Sequence, residues 1–284
     1  MCICSIVASV VLSVTQFLTQ SVDGRISDAN DASLGRFLDY SANASRGKFV
    51  LNPGFWASGV DFSCASPWNE VSGALRAGTL ISKRHVVFAK HFPLSKGARI
   101  VFVDNGGAAC SVRIAGTKEI DGVDILIASL DSEVAPNIRP AKILPDDYRK
   151  YIGDGEGLPV ATFNMKEQLV LSELSPIPTN RFMNIKCRIP IPEHIFTRKI
   201  EGGPKAALYR PLIVGDSGNP AFLIAGNEPI LLYCNASNNA SSGPPLHLYR
   251  QEIQAAMDTL CPGYKLETID LAAISARVNK DVVK

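Results

Sequence analysis

Leu212-Ile213-Val214-Gly215-Asp216-Ser217-Gly218-Asn219-Pro220-Ala221-Phe222-Leu223-Ile224 places a cluster of turn-forming residues between two apolar runs. Gly, Asp, Ser, Asn and Pro each favour tight turns, and short apolar runs on either side read as buried strands. Taken alone, the segment is a hairpin loop. A second reading comes from chemistry. A serine hydroxyl is a weak nucleophile until a base takes its proton and donors stabilise the oxyanion that forms. Glycines beside Ser217 let the backbone turn tightly enough for two N–H groups to face one oxygen. The segment is therefore a candidate nucleophile turn, if a base and an orienting acid lie elsewhere in the chain.

Both are present upstream. Ala77-Gly78-Thr79-Leu80-Ile81-Ser82-Lys83-Arg84-His85-Val86-Val87-Phe88-Ala89-Lys90-His91 reads as strand, polar turn, strand, with His91 at the strand's end. Gly122-Val123-Asp124-Ile125-Leu126-Ile127 places an aspartate at the entrance to a buried strand. His85 is a weaker base than His91 because it precedes its strand, and Asp121 a weaker acid than Asp124 because no apolar run follows it directly. Strand ends and turns attract polar residues in any case. The argument rests on the three together.

From about residue 71 the chain consists of short β-like runs broken by Gly, Pro and Asp/Asn. A first series covers Gly73–Ser82, Val86–Ala89, Arg99–Val103, Cys110–Gly116 and Ile125–Leu130. After a polar, Pro-bearing break at Asp131–Lys150, a second series covers Leu158–Phe163, Gln168–Leu174, Ile185–Ile189, Pro211–Val214, Ala221–Ala225 and Pro229–Cys234. Two such clusters suit a pair of small antiparallel barrels, an all-β body. Leu248, Ile253, Ala256, Met257 and Leu260 then recur near a 3.6 period and Cys261-Pro262-Gly263 stops the run, which predicts a helix over 248–260. A last short helix is expected near Leu271–Val278, and residues 23–70 read as an irregular lead-in.

This set of motifs resembles the chymotrypsin/trypsin-like serine peptidases, in their bacterial form, over roughly residues 73–260. The family's pattern runs Gly-x-Leu-Ile, Val-Val-x-Ala-x-His, Asp-Ile-x-Leu and Gly-Asp-Ser-Gly-x-Pro, in that order. The resemblance implies two antiparallel six-stranded barrels, about 71–145 and 157–247, with a C-terminal helix. It implies a serine endopeptidase that works through an acyl-enzyme on a protein or peptide substrate. His91 would be the general base, Asp124 the residue that holds its tautomer, and Ser217 the nucleophile. The backbone N–H groups of Gly215 and Ser217 would form the oxyanion hole. Pro211, six residues before the nucleophile, would lie at the base of the primary specificity pocket, so a neutral, small or apolar side chain is expected there rather than Arg or Lys.

The chain departs from the family at several positions. The disulfide that often staples the histidine loop would join positions 76 and 92, which are Arg and Phe here. Asn219 replaces a glycine at a position where a positive φ can be needed, and Asn tolerates one. No Arg/Lys-Ile-Val-Gly-Gly activation segment exists, so Asp216 must find another cation or stay solvated. A catalytically inactive homologue that binds proteins is the alternative from outside the enzymes. An α/β-hydrolase needs Gly-x-Ser-x-Gly before a helix and is rejected, because Asn219 takes the last Gly position.

The net charge of +2 gives no reason to expect a nucleic-acid partner. From Met1 to Val22 the chain has no charged residue, which reads as a signal peptide or an uncleaved membrane anchor, and hence as a secreted or periplasmic protein. Of the cysteines beyond residue 22, Cys64, Cys110, Cys187, Cys234 and Cys261 leave their pairing open. Asn43-Ala44-Ser45, Asn235-Ala236-Ser237 and Asn239-Ala240-Ser241 match the glycosylation acceptor pattern. No cofactor or metal motif is present, and a monomer is expected.

Overall fold

The computed structural model describes residues 14–27, 29–40, 49–69, 76–181, 193–236 and 241–282. The expected strand Ile185–Ile189, Cys187, Asn43-Ala44-Ser45, and parts of the other two acceptor triplets lie outside these residues, as does the start of Gly73–Ser82. The body is mostly β, 31% strand against 19% helix, with a curled half-barrel sheet and a helix near the C-terminus.

One sheet has six strands in the order β3 (Trp68–Asn69), β6 (Arg99–Val103), β7 (Ala109–Glu119), β8 (Leu126–Leu130), β5 (His85–Phe88) and β4 (Thr79–Ser82). Its edges are tied to each other. Leu80 N–H donates to Cys64 O at 2.8 Å and Ser66 N–H to Gly78 O at 3.1 Å, which joins β4 to the segment entering β3. The other sheet runs β15 (Ser242–Gly243), β12 (Ile195–Arg198), β11 (Leu169–Leu174), β10 (Pro159–Phe163), β13 (Pro220–Ala225), β14 (Glu228–Cys234) and β9 (Lys142–Ile143). All its pairings are antiparallel except β14 with β9. Ala236 N–H donates to Ser242 O at 2.7 Å and links β15 back to the end of β14.

The strands of both sheets are short and rich in Val, Ile, Leu and Phe because most have both faces covered, as in the fully buried β8, β10 and β13. This is why the apolar runs were visible in the sequence. The run Pro211–Val214 is an exception. It forms no strand, and Ile213 and Val214 are exposed. The break at 131–150 holds β9 and the start of a short helix, α2 (Arg149–Ile152), both too short to produce a periodicity.

The lead-in, expected to be irregular, contains short strands. Residues 37–40 and 49–51 pair as β1 (Phe37–Tyr40) and β2 (Phe49–Leu51). Phe55, Trp56 and Phe62 are buried in the main core, where Phe62 lies edge-on to Phe163 of β10 with ring centroids 5.2 Å apart. Trp56 donates its indole N–H to Leu169 O at 2.8 Å. Aromatic residues spaced without a strand or helix period contribute core area while leaving no pattern to read. Residues 14–23 form a helix, α1, whose Val14, Leu18 and Val22 are buried, the first two against β13 and β14 residues. Ser21 Oγ accepts from Gly226 N–H, and Lys205 pairs with Asp23 at 2.8 Å. Among the described residues no helix is long and apolar enough to cross a membrane.

After α3 (Gly203–Ala206) and a 3₁₀ turn at Leu246–Tyr249 comes α4 (Arg250–Leu260), which buries Ile253, Ala256 and Met257 in the main core. α5 (Leu271–Val282) follows, longer than expected. His85 fastens α4 to the first sheet. Its Nε2–H faces Met257 O at 3.1 Å, while Nδ1 accepts from the Ser82 hydroxyl at 2.7 Å. A histidine with both ring nitrogens used in the core is structural, and burial lowers its pKa.

His247 is buried edge-on to the Tyr148 ring, with centroids 4.9 Å apart and no partner at Nε2 among the described residues. Burial, reinforced by the Arg149 charge, lowers its pKa from 6.5 to about 4. The unfolded chain therefore takes up a proton near pH 6.5 that the folded chain resists until about pH 4, so stability falls as pH drops through that window and levels off below it. The contribution is on the order of 3 kcal/mol. His247→Phe, which keeps a ring in place, is expected to flatten this part of the profile in urea unfolding between pH 7 and pH 4. An unchanged slope would contradict the assignment.

Candidate active site

Three elements converge at the junction of the sheets. β5 carries the chain through buried Ala89 into a turn at 90–91, which presents His91 half-exposed. Asp124 stands two residues before β8, the neighbour of β5, so the pairing of these strands brings the two side chains together. Ser217 comes from the other sheet, in the turn that leads into β13.

The contacts form a continuous chain. Asp124 Oδ2 lies 2.6 Å from His91 Nδ1, and Asp124 Oδ1 accepts from the His91 backbone N–H at 2.9 Å. An ionised carboxylate only accepts, so Nδ1 carries the proton. That leaves the Nε2 lone pair facing Ser217 Oγ, 2.8 Å away, with the hydroxyl as donor. The tautomer is the one a general base needs. Asp121 is exposed in the preceding turn, and His85 is committed to Ser82 and Met257.

The nucleophile turn depends on two glycines. Gly215 has φ +107° and Gly218 φ +83°. A β-carbon on Gly218 would stand 2.9 Å from Ala77 O, so only glycine lets the turn from the second sheet nest against the first. The allowance made for a positive φ at Asn219 is not used, because Gly218 absorbs the reversal. Gly218 N–H donates to Asn235 O at 2.8 Å, and Asn235 N–H returns a bond to Asn219 O at 2.8 Å. The backbone N–H groups of Gly215 and Ser217 donate to no protein acceptor among the described residues.

Asp216 takes neither course expected of it. Its side chain is buried, and no cation meets it among the described residues. Instead Oδ1 accepts from Met165 N–H at 2.7 Å and Oδ2 from Ile213 N–H at 2.6 Å. Two backbone donors compensate a buried carboxylate as a cation would. Met165 belongs to the β10–β11 turn, where Glu167 is the one described non-glycine residue with a positive φ, +57°. No signal in the sequence ties that turn to Ser217, since its bonds come from backbone.

Other expectations change. Pro211 is exposed, and its neighbours Arg210 and Leu212 line a cavity of about 160 Å³. In an extended stretch adjacent residues point to opposite sides. Arg76 and Phe92, where a bridge would have stood, are still in contact: the guanidinium lies 5.0 Å over the ring, and Nη1 donates to Pro93 O at 2.8 Å. Cys64, Cys110, Cys234 and Cys261 are free thiols, and burial pushes Cys64 and Cys234 up to about 12, leaving them unreactive. His194, which burial holds below its ordinary value, lies near enough to Asp124 to feel its charge. Among the described residues no group of three or more His, Cys, Asp or Glu could hold a metal ion.

In comparisons with known proteins, the chain matches no family model and no curated protein.

Gly218→Ala combines a positive φ with a backbone clash and should lift the turn off Ala77, away from His91. Misplacement by about 1 Å costs on the order of 100-fold in reactivity. The rate at which a phosphonylating reagent modifies Ser217 is expected to fall by about that factor, and a rate equal to wild type would sink the argument.

Proposed function

We propose that this chain is a serine endopeptidase of the chymotrypsin-like kind. One observation carries the reading: the unbroken chain from Asp124 through His91 to Ser217, at 2.6 and 2.8 Å, with the imidazole tautomer already set for proton abstraction. Ser217 Oγ attacks a peptide carbonyl as His91 Nε2 takes its proton, and the oxyanion settles between the N–H groups of Gly215 and Ser217. His91 returns the proton to the leaving amine, giving an acyl-enzyme. Water, deprotonated by the same Nε2, then releases the acid. Asp124 stays ionised throughout and stabilises the imidazolium.

The proposed architecture is two six-stranded barrels. Support for the first is the pair of bonds between 64–66 and 78–80 that joins its outer edges, and for the second the bond from Ala236 to Ser242, which makes a ring of six with β9 as an added parallel strand. Family membership rests on the order and spacing of the motifs together with this geometry.

The test is covalent labelling of Ser217 by a fluorophosphonate probe, followed by hydrolysis of activated esters and peptides by the full chain. Ser217→Ala and His91→Ala should each remove nearly all turnover, and the double variant should be scarcely worse, because nucleophile and base act as a unit. Asp124→Asn should cost on the order of 10⁴-fold in turnover by favouring the wrong tautomer. A Ser217→Ala protein with wild-type rates would end the proposal, and a wild type inert to both probe and substrates would leave a protein-binding homologue without catalysis.

A further inference from the structure

Asn235, which lies outside the triad, is bonded to the nucleophile turn at Asp216, Gly218 and Asn219. It follows β14 directly and is fully buried. Its backbone O accepts from Gly218 N–H at 2.8 Å, and its backbone N–H donates to Asn219 O at 2.8 Å. The side chain adds two further bonds. Oδ1 accepts from Ser242 N–H of β15 at 3.1 Å, which fixes the orientation of the amide. Nδ2 then donates to Asp216 O at 3.4 Å, a carbonyl that also accepts from Asn219 N–H at 3.2 Å. Asn235 opens one of the three glycosylation acceptor triplets, yet a sugar on this amide is incompatible with its burial and with these bonds.

The Asp216 carbonyl matters because of the group it is joined to. Asp216 C=O and Ser217 N–H belong to one planar trans peptide, in which the two groups point in opposite directions. Holding Asp216 O toward the end of β14 therefore turns Ser217 N–H to the other side of the peptide. On that side it meets no protein acceptor among the described residues. The bonds from Met165 and Ile213 constrain the Asp216 side chain rather than the peptide that follows it. A buried amide is costly unless it is hydrogen-bonded, and here both of its ends are.

We propose that Asn235 is a positioning residue for the oxyanion hole: its side-chain amide holds the Asp216 carbonyl so that Ser217 N–H faces the oxyanion. The inference rests on the acyl-transfer reading above. Asn235 acts only through the peptide it orients. Asn235→Ala removes the amide donor and adds no charge. Asn235→Asp keeps the size and the acceptor for Ser242 N–H, but sets an oxygen against Asp216 O, where a donor stood.

The experiment measures hydrolysis of an activated ester by the full chain, with fluorophosphonate labelling of the wild type run alongside. Loss of a whole oxyanion donor costs on the order of 100- to 1000-fold in turnover, so a misaimed one should lower kcat by about 10- to 100-fold in both variants. KM should stay near the wild-type value, and the pH dependence set by His91 should not move, because Asp124 and His91 keep their bond. A second readout separates aiming the donor from placing Ser217 against its base. Turnover that survives His91→Ala depends on the oxyanion hole and on binding, so Asn235→Ala should lower it again by the same factor. A wild type that labels and turns over, with kcat unchanged in both variants, overturns the role of Asn235 alone. So does a rise in KM without a fall in kcat, or residual turnover unaltered in the His91→Ala background. If one variant fails to fold, the other carries the test; failure of both assigns Asn235 to stability and overturns the inference. A wild type that neither labels nor turns over overturns the acyl-transfer reading, and this inference with it.

Discussion

The site exists because one turn of the second sheet can lie directly against the backbone of the first. Gly218 makes that approach possible: a β-carbon there would meet Ala77 O at 2.9 Å, and its φ of +83° reverses the chain. The contact brings Ser217 within 2.8 Å of an imidazole carried by the other sheet. His91 and Asp124 flank the ends of the adjacent strands β5 and β8 and are aligned by ordinary β pairing. Ser217 has no such help, and its placement depends on how the two sheets meet.

A second constraint holds the turn from behind. Asp216 is buried next to the nucleophile, and its two oxygens are taken by Met165 and Ile213 N–H groups from different segments. A buried carboxylate is costly unless fully bonded, so the turn, the β10–β11 connection and the 211–214 segment must keep one arrangement. That arrangement also leaves the Gly215 and Ser217 N–H groups without protein acceptors among the described residues. The same carboxylate thus stabilises the loop that carries Ser217.

The first sheet and α4 form the platform for this. His85, a poor base by its position in the sequence, bridges Ser82 and Met257 and fixes the helix to the sheet that carries His91. Arg76 stacks on Phe92 beside the histidine turn. A cation over an aromatic face is weaker than a covalent bridge, yet it constrains the same two positions. Phe62 and Trp56, from a segment without recognisable pattern, connect the platform to β10 and β11.

Sequence alone was enough for the mostly β body, for a helix expected over 248–260 that runs Arg250–Leu260, and for singling out His91, Asp124 and Ser217, which the structure brings together, because each leaves a local mark. Buried strands appear as apolar runs, an amphipathic helix as a 3.6 period, and a reactive turn as glycines around a serine. What it could not supply was every feature made by backbone atoms or by residues far apart. The partners of Asp216 are main-chain N–H groups, which any residue but proline provides. The role of the 49–69 segment lies in isolated aromatics with no period. The two-residue strands β3, β9 and β15 are shorter than any pattern that could announce them. That Pro211 lies exposed while its neighbours Arg210 and Leu212 line a cavity was decided by the path of one loop. Local propensity is written residue by residue, whereas the direction of a side chain in a loop is set only when the rest of the chain packs around it.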